Sequence, residues 1–537
     1  MVGSAPPTIS QITRNPEVPN DAQTVTITAN IADIDGTVQS AQLLWSNIIN
    51  GPVSGFQTIN MTPVSGNPGQ YTAAIPAQTN GTVVRYLIRA TDNQNNVALN
   101  PFTNTTTSNP NVFFYTVRNG GMTIQDIQYV LNPSVDASPY IGKVVTVTGV
   151  VTASAQPNDL GYIYMQQPNV NQWAGISVAG SASLATLKPG QEVVVTGTVV
   201  EFFGLTRINV TQATPTGNTI QILPVDINPS DSAWYANRES EKYEGMYVRL
   251  KNPTPNGKIF VSRPRNGNFG DFWVATSNTA NINNSTFVQT ARSDANNYSS
   301  LYVSLVSDDT LATANNVLVP IVETSSSTEM EAIQGIWFWG FGRYKLHPRN
   351  NFDVIGLNSP LERPAVVATA GQQTANNAFK ANWEYVAGGE QYTVEVSTAN
   401  DFNTLDGSST SGANSADYTV SGSPAGTYYY RVKAENSAGE EGPYSNIITV
   451  VLVTSIDELI DLDVNAYPNP AVQSLFIENK SNENINYSIV SFSGKLLKQG
   501  IVAQGRQAID VNAYAKGVYM LQLNSGNTSK TLKLIIQ

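Results

Sequence analysis

Pro139-Tyr-Ile-Gly-Lys-Val-Val-Thr-Val-Thr-Gly-Val-Val151 is the run on which the fold turns. Val145 and Val147 alternate with Thr146 and Thr148, the period-two pattern of a half-buried strand. Gly149 interrupts the alternation, and a glycine inside a strand lets it bend or coil. The pattern predicts a barrel strand. Four more short strands follow at 161–165, 175–178, 192–200 and 205–210, and Leu187-Lys-Pro-Gly190 supplies a turn before the 192–200 strand. Asn119-Gly-Gly121 is a hinge ahead of the first strand, and Thr123-Ile-Gln-Asp-Ile127 predicts a short helix.

On the N-terminal side, apolar residues come in alternating bursts: Val25, Ile27 and Ala29, then Leu43 and Trp45, then Val84, Tyr86 and Ile88. This predicts a β-sandwich over residues 1–118. Within it, Gly81-Thr-Val-Val-Arg-Tyr-Leu-Ile-Arg-Ala-Thr-Asp92 resembles a late strand of bacterial immunoglobulin-like domains. Asp33-Ile-Asp35-Gly36 offers two carboxylates for calcium, but it lacks the third oxygen ligand and distal Glu of an EF-hand loop. An Asp-Gly tight turn is the preferred reading of Asp33 and Asp35.

The five strands of residues 122–225 look like an OB-fold barrel, similar to the OB domains that accompany bacterial extracellular nucleases. A second block, 226–356, resembles the same family in Tyr243-Glu-Gly-Met-Tyr-Val-Arg-Leu250, Ile333-Gln-Gly-Ile336 and Gly342-Arg-Tyr-Lys-Leu-His-Pro-Arg349. The Asn/Ser-rich stretch 277–300 has no periodicity and little apolar surface, so it reads as a long loop, ligand-facing or decorated.

Residues 361–453 resemble a fibronectin type III domain. Trp383 falls in an early strand, Tyr392-Thr-Val-Glu-Val396 in the middle, and Gly426-Thr-Tyr-Tyr-Tyr-Arg-Val-Lys-Ala434 late, before Gly442-Pro-Tyr-Ser-Asn446. A linker with a helical turn, Ser455-Ile-Asp-Glu-Leu-Ile-Asp461, leads to residues 464–537. There, Ala466-Tyr-Pro-Asn-Pro470, Phe492-Ser-Gly-Lys-Leu496, Lys516-Gly-Val-Tyr-Met520 and Lys530-Thr-Leu-Lys-Leu-Ile-Ile536 resemble, in order, the C-terminal sorting domain of type IX secretion cargo. The resemblance implies a partner, the type IX secretion machinery, and translocation across the outer membrane followed by tail removal. The sorting signal it points to is Pro468, Asn469, Pro470, Gly494, Lys495, Leu496, Gly517, Tyr519, Lys530 and Lys533. Read for their own pattern, the same residues predict a small sandwich with Ile489, Leu497, Tyr519, Leu521, Leu532 and Leu534 as core.

Composition agrees with an all-β chain of tandem sandwiches and OB-like barrels in an elongated, multi-domain arrangement. The 537 residues are too many for one core and suit about four or five domains. Only 13% are charged, and Thr, Asn, Ser, Val and Gly favour strands and turns over long helices. A net charge of -11 repels polyanions globally, so nucleic acid would need a local patch. No run of about 18 apolar residues predicts a membrane helix. The opening Met1-Val-Gly-Ser-Ala-Pro-Pro7 lacks a signal-peptide pattern, so the expectation for an exported chain is a leader already removed.

Catalytic inventory is thin. With no cysteine and one histidine, thiolate zinc sites, a Cys nucleophile and the HExxH pattern are excluded, and neither a P-loop, a GxSxG elbow nor a complete dinucleotide fingerprint occurs. A Ser–His–Asp triad would need His347, which carries no recognisable oxyanion loop. Paired carboxylates meet only in a fold, and none of the resemblances is to a glycosidase. The expectation is a non-catalytic protein without a cofactor, with an enzyme of unrecognised type as the rival.

The candidate ligand site is Trp337-Phe-Trp-Gly-Phe-Gly-Arg-Tyr-Lys-Leu-His-Pro-Arg349. Trp337, Trp339, Phe341 and Tyr344 supply stacking faces, and Arg343, Lys345 and Arg349 supply cations, as glycans or single-stranded nucleic acid require. The competing reading puts Trp337, Trp339 and Phe341 in the core while the cations reach out to solvent. Arg249, Lys251, Lys258, Arg263 and Arg265 extend the basic patch, diluted by Glu241, Glu244 and Asp271. Asp231-Ser232-Ala233 and Asp309-Thr310-Leu311 resemble O-glycosylation acceptors of bacteria that use this export route. These features together predict a secreted or surface binding protein, with an accessory nucleic-acid or carbohydrate binder as the more specific alternative.

Overall fold

The computed structural model describes residues 4–132, 137–156, 159–231, 239–264, 271–290, 305–306, 322–340, 342–421, 425–452, 464–491, 495–525 and 528–537. Phe341, Arg265, Ser232, Ala233, Asp309-Thr310-Leu311, the 455–461 linker and Phe492-Ser493-Gly494 lie outside them. The chain is all-β.

The run that opened the reading becomes β1, Val144–Ala153. It closes a five-stranded barrel with β2 (Ile163–Gln166), β3 (Gly175–Ala179), β4 (Gln191–Phe202) and β5 (Leu205–Thr219), in the order β1-β2-β3-β5-β4. Val145, Val147, Val193, Val195, Ile208 and Val210 fill its interior. One short helix, Ile124–Gln128, plugs an end; Thr123 and Asp126 cap it reciprocally, which satisfies amide groups at its start.

The next block gives β6 (Val225–Ile227), β7 (Tyr247–Lys251), β8 (Ile259–Arg263), β9 (Phe272–Ala275), β10 (Thr286–Val288), β11 (Glu329–Met330), β12 (Ala332–Gly340), β13 (Arg343–His347) and β14 (Val354–Ile355). They form one sheet in the order β6-β7-β12-β13-β10-β9-β8-β11, with β14 on β12. Only Glu331 separates β11 from β12, so the same length of chain pairs with β8 at its start and with β13 further on. The sheet thereby curls back around a core of Val248, Leu250, Phe272, Ile333, Trp337 and Leu346. Residues 277–290 depart from the loop expectation, and 291–300 lie outside the described residues: Thr286-Phe-Val288 pairs antiparallel with β9, and Val288 pairs in parallel with Leu346. Three consecutive buried residues suffice for a short strand once neighbours supply the ladder.

The remaining segments are two-sheet sandwiches. Residues 8–116 pack a four-stranded against a five-stranded sheet around Ile27, Leu43, Trp45 and Ile88. Residues 368–452 pack three strands on four around Phe379, Trp383, Tyr392 and Val432. Residues 464–536 repeat that layering, with Ile489, Tyr519, Leu521 and Leu534 in the core and Leu497 and Leu532 at its margin. No helix among the described residues is long and apolar enough to cross a membrane.

Candidate functional site

β12 and β13 carry the predicted run, and strand alternation sends its side chains to two faces. Trp337 and Tyr344 point into the block's own core, their rings 6.1 Å apart and parallel, with the Tyr344 hydroxyl donating to Glu241. On the other face, Arg343 lies over Trp273 (5.5 Å) and Phe287 (5.3 Å), Lys345 over Phe287 (5.2 Å) and Phe338 (5.6 Å), and His347 stacks on Phe338 at 4.8 Å. Cations and aromatic rings do alternate here, as the sequence suggests.

Most of that ladder is covered. Lys345 and Arg349 are each 4% exposed, and His347, Trp273 and Phe287 are buried. Lys345 donates to Gln289 Oε1 at 2.9 Å, and burial pulls its ammonium down to about 8 while Asp271 nearby is pushed up to about 7. The outer face is occupied in part by the barrel: Tyr247, Ile336 and Phe338 form one apolar cluster with Ala153, Leu160 and Tyr164. Backbones meet at this joint. A methyl group on Gly175 would lie 2.1 Å from the carbonyl carbon of Gly245, so bulk at that position would hold the two blocks apart. Gln128 donates to the Gly175 carbonyl (2.6 Å), and the Tyr247 amide donates to Gln166 Oε1 (2.8 Å).

Arg349 is the centre of this packing. It makes a two-pronged ion pair with Asp353 (2.8 and 2.9 Å), donates to the Thr152 carbonyl of β1 at 2.8 Å, and stacks at 3.8 Å on Tyr247. Asp353 and the neighbouring Phe352 approach Gly388, and Asn350 donates to the Ala387 carbonyl (2.9 Å), so the 368–452 sandwich joins the same knot. The expectation that Trp337, Tyr344, Lys345 and Arg349 face a ligand is therefore corrected: they are spent on the core and on domain packing. The competing reading also needs correction, because Lys345 and Arg349 do not reach solvent. Of the seven residues, Trp339 and Arg343 remain half-buried, and Phe341 lies outside the described residues.

Trp339 leads to what the sequence reading missed. Its indole Nε1 would lie 2.6 Å from a methyl placed on Gly204, so the β12–β13 hairpin leans on the β4–β5 hairpin. The β4–β5 turn has two residues, Phe203 and Gly204, with φ of +54° and +83°. Positive φ at both positions is the habit of a type I′ hairpin turn, where Asn or Asp precedes Gly; a bulky aromatic there is strained. Phe203 is nonetheless 86% exposed and Phe202 45%. Their rings meet edge to face at 4.8 Å, and the Arg207 guanidinium packs at 3.8 Å on Phe202. Arg207 Nε is buried without a hydrogen-bond partner. The signal in the sequence was Glu201-Phe-Phe-Gly204, an aromatic pair where a turn should be polar.

Two residues of the wider basic patch are paired, Arg249 with Asp226 (2.6 Å) and Lys258 with Glu331 (3.0 Å), while Lys251 and Arg263 are exposed. Among the described residues no group of three or more His, Asp or Glu side chains converges as a metal site. Asp33 Oδ1 accepts from the Asp35 amide (3.4 Å), and Asp35 Oδ2 accepts from the Ala5 amide (3.0 Å). Asp231 is exposed. In the tail, Asn469, between Pro468 and Pro470, is tied to the last strand, donating to the Lys533 carbonyl (2.6 Å) and accepting from the Ile535 amide (2.8 Å). The Tyr519 hydroxyl donates to the Ala515 carbonyl (2.6 Å); Leu496 and Lys533 are exposed.

No curated protein matches the chain. Among solved structures it is similar to the FN1–FN3 domains of chicken CNTN1, at 16% identity over 39% of this chain and 77% of that one, with a TM-score of 0.19. It is similar also to the human OSCAR ligand-binding domain, at 14% identity over 33% and 100% with a TM-score of 0.16. A third is the chicken interferon gamma receptor alpha chain, at 12% identity over 32% and 99% with a TM-score of 0.15. Residues 465–537 match the family described as the secretion system C-terminal sorting domain. That segment is a type IX sorting tail, which addresses the protein to the secretion machinery and thence to the cell surface or the extracellular space.

Proposed function

We propose that this is a non-catalytic binding protein of the cell surface or extracellular space. In this reading an immunoglobulin-like sandwich, two OB-type barrels and a fibronectin type III spacer carry one ligand-facing rim, formed where the β4–β5 and β12–β13 hairpins touch. The observation that carries it is Phe203: a large aromatic held at φ +54° and left 86% exposed contributes nothing to the core. Strain retained at an exposed aromatic suits a contact made with something outside the chain. Phe202, Trp339 and Arg207 complete a rim of rings and a guanidinium group.

Glycans and single-stranded nucleic acids are the two ligand classes that combine stacking with polar or ionic contacts. The test is binding of the whole chain to glycan and oligonucleotide arrays, with Phe203→Ala beside it. The expected outcome is a ligand bound by the native chain and weakened at least about ten-fold in the variant, the loss of one buried aromatic contact. Ligands bound equally by both would overturn the assignment of the rim.

A further inference from the structure

We propose that the rim binds an acidic polysaccharide, a chain of pyranose rings bearing carboxylates at intervals; this rests on the reading of the hairpin as a binding site. Three features lead there. The first is Arg207. Its guanidinium is held flat against Phe202 at 3.8 Å, has a buried Nε with no hydrogen-bond partner, and makes no ion pair with an acid among the described residues. Its Nη groups donate to no described residue, and with Nε buried they are the pair of donors left for a carboxylate, which accepts two parallel N–H bonds.

The second is the arrangement of the rings. Phe202 and Phe203 stand at 76° to each other, so they do not offer the parallel faces on which successive bases stack. A pyranose presents a C–H face to one ring and its edge to another, and a carboxyl on the ring carbon next to the ring oxygen then extends toward Arg207. The third is charge density. A nucleic acid brings one phosphate per nucleotide and is held by many cations, whereas the chain carries a net charge of -11 and the cation packed on the rim is Arg207. Lys345 and Arg349, which would have extended the row, are buried. Sparse cations beside exposed rings match a polymer with sparse anions.

Calorimetric titration of the full chain decides the matter, using an oligosaccharide that alternates glucuronate with N-acetylglucosamine, the same oligosaccharide with its carboxyl groups reduced to alcohols, and oligothymidylate. The expected result is binding of the acidic oligosaccharide, at least ten-fold weaker binding of the reduced form, and weaker binding still of oligothymidylate. Arg207→Gln should bring the acidic oligosaccharide down to the level of the reduced sugar, and Arg207→Lys, which keeps the charge but loses the fork, should recover only part. Phe203→Ala, at an exposed tip, should weaken both sugars together. Equal binding of acidic and reduced sugars, with both lost in Phe203→Ala, would overturn the acidic ligand and leave the rim in place. Preference for oligothymidylate, sensitive to Phe203→Ala, would do the same in favour of nucleic acid. Sugar binding untouched by Phe203→Ala, or no binding of any probe, would overturn both the ligand and the rim.

Discussion

The Phe202–Arg207 hairpin and the Trp337–Arg349 strand pair both set guanidinium groups on aromatic rings, yet the hairpin leaves its rings exposed to solvent and the strand pair folds most of its rings away. Arg207 packs on Phe202 and makes no ion pair among the described residues, while Arg349 packs on Tyr247 at the same 3.8 Å with Asp353 closing the charge. A cation–aromatic pattern states a chemical capacity and not a use. Where a buried guanidinium is met by a carboxylate and a carbonyl, its hydration is replaced and the group serves packing. Where its donors are left unmatched at a rim, the protein alone does not complete it.

The sharpest way to break the comparison is to remove the partner that makes Arg349 structural. Asp353→Ala leaves a buried guanidinium unpaired and should destabilise the joined blocks by about 3–5 kcal/mol. Thermal unfolding followed by calorimetry should show the barrel and the 368–452 sandwich melting at lower temperature; an unchanged melt would mean that Arg349 is no more committed than Arg207.

A second effect sharpens the account of the same knot. Burial pushes the Asp159 carboxyl up to about 7, against the pull of the Arg349 charge and of hydrogen bonds from Ser154 (2.7 and 2.8 Å) and Leu160 (2.7 Å). From about pH 4 upward the unfolded chain releases this proton while the folded chain keeps it, so stability present in acid falls as pH rises to about 7. The loss should be up to ~4 kcal/mol. Denaturant titrations between pH 4 and 7 should show the slope in the native chain and lose it in Asp159→Asn; equal slopes would remove Asp159 as its cause.

The smallest effect concerns the exposed turn. Phe203→Asn places a residue that tolerates positive φ in the turn and should raise stability by up to ~1 kcal/mol. Measured by denaturant melts, a stability loss in Phe203→Asn would show that the phenyl ring supports the fold after all and would erase the contrast with the buried ladder.

Local pattern settled a good deal of this architecture. The Val/Thr alternation of β1, the apolar bursts at Val25–Ala29 and Val84–Ile88, and the four tail phrases each depend on neighbours two residues away, or on short motifs, which a linear chain displays openly. The strand at Thr286–Val288 escaped because its apolar run is only Phe287 and Val288 and its partners lie elsewhere in the chain.

What the chain alone determined, then, is which residues alternate and so have two faces, together with the export address at its end. Only the tertiary structure decided which of those faces is covered. Arg349 is buried where the barrel and a sandwich meet its sheet, Lys345 is covered by Phe287, Phe338 and Gln289 of its own block, and Trp339 meets Gly204 across a joint that no periodicity describes. Alternation is set by backbone geometry over a few residues, whereas coverage is set by which domain arrives on top, a contact between residues far apart in the chain.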